Sequence, residues 1–185
     1  MNPPDEARLI ARAQQGDPAA FAELYDLHQQ AIYTYVYYRV GDVAVAEDLT
    51  GDVFVRLVER IAHFTYQGRP IRAWLYTIAR NLVTDHRRAG ARMPSASLDE
   101  SLPDDEANRP DLAVQHRLTQ ECLTAALRHL TEEQRQVILL KFVENQSNAQ
   151  VAALLGKPEG AVKSLQHRAL AALRRALEKE YHDEP

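Results

Sequence analysis

The stretch SNAQVAALLGKPEGAVKSLQHRALAALRRAL, residues 147–177, admits little besides two helices joined by a sharp turn, and LTEEQRQVILLKFVENQ reads as a helix ahead of them. Ser147 is placed to N-cap the first of the two, Gln150 closes a capping box three residues on, and Gly156 stops the helix. Val151, Ala152 and Leu155 supply its expected buried side, and the second helix starts at Pro158. On a 3.6-residue wheel Val162, Ala169, Leu173 and Ala176 fall on one side, with Lys163, Ser164, His167, Arg168, Arg174 and Arg175 opposite. A basic outer face over an apolar inner one suits a helix whose side chains meet base edges while its cations meet phosphates. The competing reading is a plain helical hairpin with a solvated charged face, because helix-turn-helix patterns are short and degenerate.

A chain of 185 residues has room for one large or two small domains, and 45% hydrophobic with 26% charged residues argues against disorder throughout. No run of about 18 apolar residues occurs and MNPPDEARLIARAQQGD lacks a hydrophobic signal region, so neither membrane insertion nor secretion is supported and a cytoplasmic location is expected. The single cysteine, Cys122, excludes an intrachain disulfide or a cysteine-rich zinc site and is expected as core filler.

Net charge is -4, at odds with a DNA-binding chain, since Lys and Arg supply most nonspecific affinity. The distribution explains part of this. Residues 1–92 hold 11 Lys+Arg and 11 Asp+Glu, residues 93–115 hold 1 and 6, and residues 116–185 hold 10 and 9. A protein with small basic faces and negative total charge binds DNA weakly alone, so a larger partner is expected to present it.

The acidic stretch MPSASLDESLPDDEANRPDLAVQ carries three prolines and three serines without sustained apolar periodicity, as a flexible linker does. Extended, it would reach roughly 75–80 Å, and as a free coil its ends would average about 26 Å apart. The expected fold is all-α: two small helical domains, 1–92 and 116–185, joined by this linker, the second a helix-turn-helix. In the first, a short helix is expected over roughly residues 5–15. Asp17-Pro18 then opens a helix with Phe21, Leu24, Tyr25, His28, Ile32, Tyr35 and Val36 on one face up to Gly41. Asp42 opens the next, with Ala46, Leu49, Val53, Phe54, Leu57 and Ile61 inward and Asp48, Asp52, Arg56 and Glu59 along another side. A loop over 64–70 leads to a helix opened by Pro70, with Ile71, Trp74, Leu75, Ile78 and Leu82 inward and Arg80, Thr84 and Arg87 outward.

Two helical modules, an acidic linker and a helix-turn-helix in the second module resemble the extracytoplasmic-function (ECF) group of the sigma-70 family of bacterial sigma factors. DVAVAEDLTGDVFVRLVERI is similar to the family's polymerase-clamp-binding helix, IRAWLYTIARNLVTDHRR to its promoter-melting and downstream-element helix, and the C-terminal helices to its upstream-element reader. The three motifs occur in the family's order and cover about residues 17–177; YTYVYYRVGD and AVKSLQHRAL are most similar to the BldN-like subgroup. The resemblance implies a non-enzymatic protein without cofactor or metal. Its implied partners are core RNA polymerase, promoter DNA and an anti-sigma factor.

Each motif has its own chemistry. Asp48, Asp52 and Glu59 offer carboxylates to a basic partner surface, and Arg56 is placed to pair with Asp52, an ion pair worth only about 0.2–0.5 kcal/mol. Gly51 stands where the family commonly has glutamine, and glycine inside a helix costs roughly 0.5–1 kcal/mol relative to alanine. Holding an unpaired base needs a pocket and a stacking platform. Phe64 and Tyr66 can stack, Gly68 permits close backbone approach, Arg69 and Arg80 can meet phosphates with Arg87 further along the helix, and Asn81 offers an amide to a base edge. Periodicity places Trp74 in the core, and Tyr33, Tyr35, Tyr37 and Tyr38 read as packing and surface residues. In the upstream reader Lys163, His167 and Arg168 are the principal expected contacts, with Ser164 and Arg174 positioning phosphates. Leu165-Gln166 stand where the family commonly has Arg then Leu, so base preference does not carry over. In the linker, Asp99, Glu100, Asp104, Asp105 and Glu106 can mimic phosphates, against the simpler reading of solvated charge.

Three other readings compete, one of them a pure interaction module, a degenerate sigma-like adaptor, which rests on the departures at Gly51 and Leu165. A conventional two-domain helix-turn-helix regulator would bind paired half-sites as a dimer without polymerase. A nucleic-acid enzyme needs a nucleophile or metal cluster, but the seven histidines are scattered, no His-Glu-x-x-His element occurs and no glycine-rich phosphate loop precedes a helix.

Overall fold

The computed structural model describes residues 3–92 and 123–180. Every regular element among them is helical. The acidic segment 93–115 and Cys122 lie outside the described residues. No described helix is long and apolar enough to cross a membrane.

The N-terminal module consists of α1 (Pro3–Gln14), α2 (Pro18–Val40), α3 (Val43–Arg60), a 3-10 turn at Ile61–His63 and α4 (Ile71–Arg92). The start and stop residues behave as their chemistry dictates. Asp17 accepts a hydrogen bond from Ala19 N at 2.9 Å, with Pro18 supplying a first-turn residue that has no N–H to satisfy. Gly41 ends α2 in the left-handed region at φ 77°, and Asp42 at once caps α3 by accepting from Val45 N at 2.8 Å. All six apolar positions expected on α3, from Ala46 to Ile61, are buried. Helix α4 buries two adjoining stripes rather than one, since Tyr76, Ala79 and Val83 are enclosed beside Ile71, Leu75, Ile78 and Leu82.

The C-terminal module contains a helical segment over 123–128 (α5), α6 (Glu132–Ile138) running into a π-helical turn at Leu139–Val143, α7 (Asn148–Leu155) and α8 (Glu159–Glu180). Both α6 and α7 begin with reciprocal capping boxes, Thr131 with Gln134 and Ser147 with Gln150. Buried Arg135 donates Nε to Leu127 O at 2.8 Å, which also accepts from Leu130 N, and Nη2 to Leu130 O at 3.2 Å, bracing the turn where α5 ends. Gly156 closes α7 at φ 64°. The buried side of α7 is Val151 with Leu154, whereas Ala152 and Leu155 are half-buried, so the expected stripe is rotated by one residue. In α8, Val162, Leu165, Ala169 and Ala176 are buried and Leu173 is half-buried.

Candidate nucleic-acid interface

The surface of α3 is a continuous arc. Asp48, Asp52 and Glu59 are exposed, and Val55 stands among them at helical spacing with Gly51 and Val58 on its flank. Val55 and Val58 are each 55% exposed, placing two apolar side chains among the carboxylates of this arc. Arg56 is half-buried, and no ion pair joins it to Asp52 among the described residues.

The loop over 64–70 is held at both ends by α1. Gln14 Nε2 donates to Ile61 O at 3.0 Å and to Phe64 O at 2.6 Å. Buried Glu6 accepts from Ile71 N at 3.1 Å, placing a carboxylate at the N-terminus of α4 where the helix dipole favours it, and from Tyr66 Oη at 3.5 Å. Tyr66 is therefore tied back to α1 and half-buried. Phe64 instead packs against Trp74, ring centroids 4.7 Å apart and tilted by 30°. Phe64, Thr65, Gln67, Arg69, Trp74 and Thr77 line a surface pocket there. Trp74, expected in the core on its period, is half-buried and walls this pocket. Asn81 is exposed one turn beyond Thr77 on the same side of α4, and Arg80 is exposed beside it.

Helix α8 presents Lys163, Ser164, His167, Arg168 and Arg174 outward. Three of them make contacts within the helix: Lys163 pairs with Glu159 at 3.1 Å, Ser164 Oγ donates to Gly160 O at 3.0 Å, and Arg168 Nε donates to Ser164 O at 3.4 Å. Such exposed pairs are weak and exchange readily for a phosphate. Leu165 is buried and Gln166 half-buried, so of the two residues that depart from the family only the amide sits near the exposed basic side of α8.

Two of the expected DNA-facing cations are engaged elsewhere. Arg69 Nη2 donates to Leu154 O of α7 at 3.1 Å, and the Arg87 guanidinium donates to Arg39 O. Burial, then the neighbouring Arg39, lowers the pKa of Arg87. Arg39 is itself buried, lies over the Tyr35 ring at 4.3 Å, and pairs with Glu132 at the start of α6.

The sigma-70 region 2 family model matches residues 24–93 and the sigma-70 region 4 model residues 120–173. The chain is 44% identical over 177 residues to the ECF RNA polymerase sigma factor BldN of Streptomyces coelicolor, covering 94% of this chain and 67% of that protein. It is 33% identical over 176 residues to the ECF sigma factor SigL of Mycobacterium tuberculosis, covering 91% of this chain and 95% of that one. This chain belongs to the ECF RNA polymerase sigma factors. Among solved structures, CnrH in complex with the cytosolic domain of CnrY superposes with a TM-score of 0.69 at 26% identity, covering 94% of this chain and 97% of that chain. RpoE of Bartonella quintana in complex with the anti-sigma factor NepR gives 0.59 at 25% identity, covering 85% and 96%.

Several residues that shape these surfaces in the sigma factor had no place in the sequence reading. Arg39 had a usable signal, because it continues the 28, 32, 35 stripe of α2 into the core, and a cation at an inward position calls for a partner. Glu6 and Gln14 gave none, since their partners lie 47 to 65 residues away. Among the described residues no cluster of three or more His, Cys, Asp or Glu is placed to hold a metal ion.

Proposed function

We infer that this sigma factor divides its work among three surfaces on separate helices. ECF sigma factors join core RNA polymerase and direct promoter-specific initiation, and the relatives compared above are sigma factors rather than conventional regulators that act without polymerase. Polymerase binding falls to α3 through Asp48, Asp52 and Glu59, with Val55 and Val58 adding apolar contact and Arg56 at the margin. Residues 1–92 form the unit that also opens the duplex, with Phe64 and Trp74 as the stacking platform, Asn81 reading a base edge, and Tyr66, Arg69, Arg80 and Arg87 around it. Residues 116–185 form the upstream reader, with Lys163, His167 and Arg168 facing the groove and Ser164 and Arg174 at phosphates. Residues 93–115 connect the two. No residue is assigned to catalysis and no cofactor is required, and the place of action is the cytoplasm, where polymerase and promoter meet. An anti-sigma protein is the remaining partner, in keeping with the bound proteins in the CnrH and RpoE complexes.

One observation carries this division: the side chains at the centre of each surface, Asp48, Asp52 and Glu59 on α3, Asn81 on α4 and Lys163, His167 and Arg168 on α8, are exposed on helices whose opposite sides are core. Runoff transcription with core polymerase on genomic fragments tests it. The Asp48→Lys/Asp52→Lys double variant should lose core retention in a pull-down and lose runoff product while keeping its helical circular dichroism. Undiminished retention of that folded variant would sink the polymerase assignment.

A further inference from the structure

We propose that this sigma factor masks its own duplex-opening pocket, with the turn of its helix-turn-helix docked on Arg69 and a two-point polar clasp between the modules holding it there. The proposal rests on the reading of that pocket as a base-binding site.

The docking is close. Arg69 lines the pocket and hydrogen-bonds Leu154 O, in the last turn of α7. A Cβ placed on Gly156 would lie 2.9 Å from Arg69 Nη2 and 3.1 Å from its Cζ, so the guanidinium is packed against the bare backbone of the turn. An arginine held this way must release Leu154 O before that nitrogen can meet a phosphate of DNA entering the pocket.

The first clasp point joins α2 to α6. Arg39, with its side chain 1% exposed, pairs with Glu132, and Arg87 of α4 donates to the Arg39 carbonyl, which binds a second expected DNA contact into the same junction. The second joins α4 to the segment after the π-helical turn. Tyr76 Oη donates to the Glu144 carboxylate, whose side chain is only 7% exposed, and Arg72 Nη1 lies 3.5 Å from it. Both points use charges that are buried on at least one side, where loss of one partner leaves an unpaired charge and is costly. Neither point belongs to the core of a single module. Arg39 and Glu144 meet these partners only while the modules are closed and regain water when they part, giving a two-state element of the kind a ligand or partner can bias.

Trp74 is the single tryptophan of the chain and walls the pocket, so its fluorescence reports occupancy directly. The full-length protein, Tyr76→Phe, Glu132→Gln and the double variant are titrated with a mixed-sequence single-stranded 12-mer oligodeoxynucleotide, and small-angle X-ray scattering is recorded without DNA. Both substitutions are near-isosteric, and Tyr76→Phe leaves the net charge unchanged. The wild type should scatter as a compact chain, with a radius of gyration of about 16 Å for this length. The double variant should be larger, and it should bind the oligonucleotide roughly 5- to 10-fold more tightly if the open state of the wild type is about 10–20% populated. If the double variant fails to fold, the two single variants carry the test with smaller shifts in the same direction. Expansion with unchanged affinity overturns the masking, and unchanged size overturns the clasp. Absence of Trp74 quenching in every variant removes the pocket reading itself, and the masking with it.

Discussion

The two surfaces proposed to meet DNA are built in opposite ways. The proposed upstream reader is one face of one helix, started after Pro158 and packed on Val162, Leu165 and Ala169, and Ser164 and Arg168 on it hydrogen-bond only within that helix. The opening pocket is an assembly: α1 fixes the loop through Gln14 and Glu6, α4 contributes Trp74 and Thr77, and α7 of the other module takes Arg69. The first surface is therefore available as soon as the helix forms, whereas the second depends on remote residues and on whether the modules are closed.

The largest test of this contrast is Arg168→Ala. On a self-contained face the loss should be purely local. If Arg168 reads a base bidentately, substitution costs roughly 1–3 kcal/mol and relaxes preference at one position; if it only meets phosphate, binding weakens evenly and the salt slope falls by about 1. Gel-shift titration of holoenzyme over several salt concentrations separates these outcomes. A fall in Trp74 quenching by single-stranded DNA in the same variant would break the contrast, because it would show the two surfaces acting as one.

Gln14→Ala is the converse test. Gln14 is not itself a proposed DNA contact, yet its amide holds Phe64 O and Ile61 O, the latter shared with Phe64 N, and loss of such part-exposed hydrogen bonds costs about 0.5–1.5 kcal/mol. The loop should loosen and permanganate reactivity of unpaired promoter thymines should fall, as it should for Asn81→Ala, with polymerase binding retained. Wild-type reactivity in Gln14→Ala would mean that the pocket does not depend on α1.

The same contrast explains what the sequence made legible. The helix boundaries at Asp17, Gly41, Asp42, Ser147 and Gly156 were readable because a cap is decided by residues within four positions of one another. The buried stripe of α3 and the polar face of α8 were readable because helical period needs no knowledge of the neighbour. Trp74 was misplaced by that same logic: its period is inward, but the loop over 64–70 does not close over it, and it becomes a pocket wall. The one-residue rotation of α7 arises similarly, from what α7 packs against rather than from its own pattern. Tyr76, Glu132 and Glu144 were silent, and the partner of Arg39 was unreadable, because a hydrogen bond and an ion pair spanning 68 and 93 residues leave no mark on local periodicity.

A smaller effect separates the stabilities of the modules. His28 is buried in α2, and burial first, then the charge of Arg72, holds its pKa down at about 4, against 6.5 for the free group. The unfolded chain therefore takes up a proton at pH values where the folded module does not. Stability contributed by neutral His28 is intact above the unfolded pKa and is lost as pH falls from about 6.5 toward 4. Between pH 7 and 5.5 the loss should be about 1 kcal/mol, read by urea unfolding with Trp74 as reporter of the N-terminal module. His28→Leu should flatten that slope. An unchanged slope would assign the pH dependence to other groups.

The smallest effect concerns the third surface, α3, which is legible and local in the same sense as α8. Gly51 lies inside that helix, exposed, and a Cβ added there meets nothing within 4 Å, so the fold does not need the glycine. Gly51→Ala should then stabilise the N-terminal module by roughly 0.5–1 kcal/mol, since alanine loses less backbone entropy on entering a helix. Core polymerase affinity decides what the glycine is for. If α3 works only through Asp48, Asp52 and Glu59, Gly51→Ala should bind core polymerase as the wild type does, and Gly51→Gln, which restores the residue common in the family, should bind equally or more tightly. A variant that melts at a higher temperature yet binds core polymerase less well would show that the partner's surface approaches the backbone at Gly51. The contact would then include Val55 and Val58 beside it, and α3 would join the opening pocket among surfaces whose use depends on what packs against them.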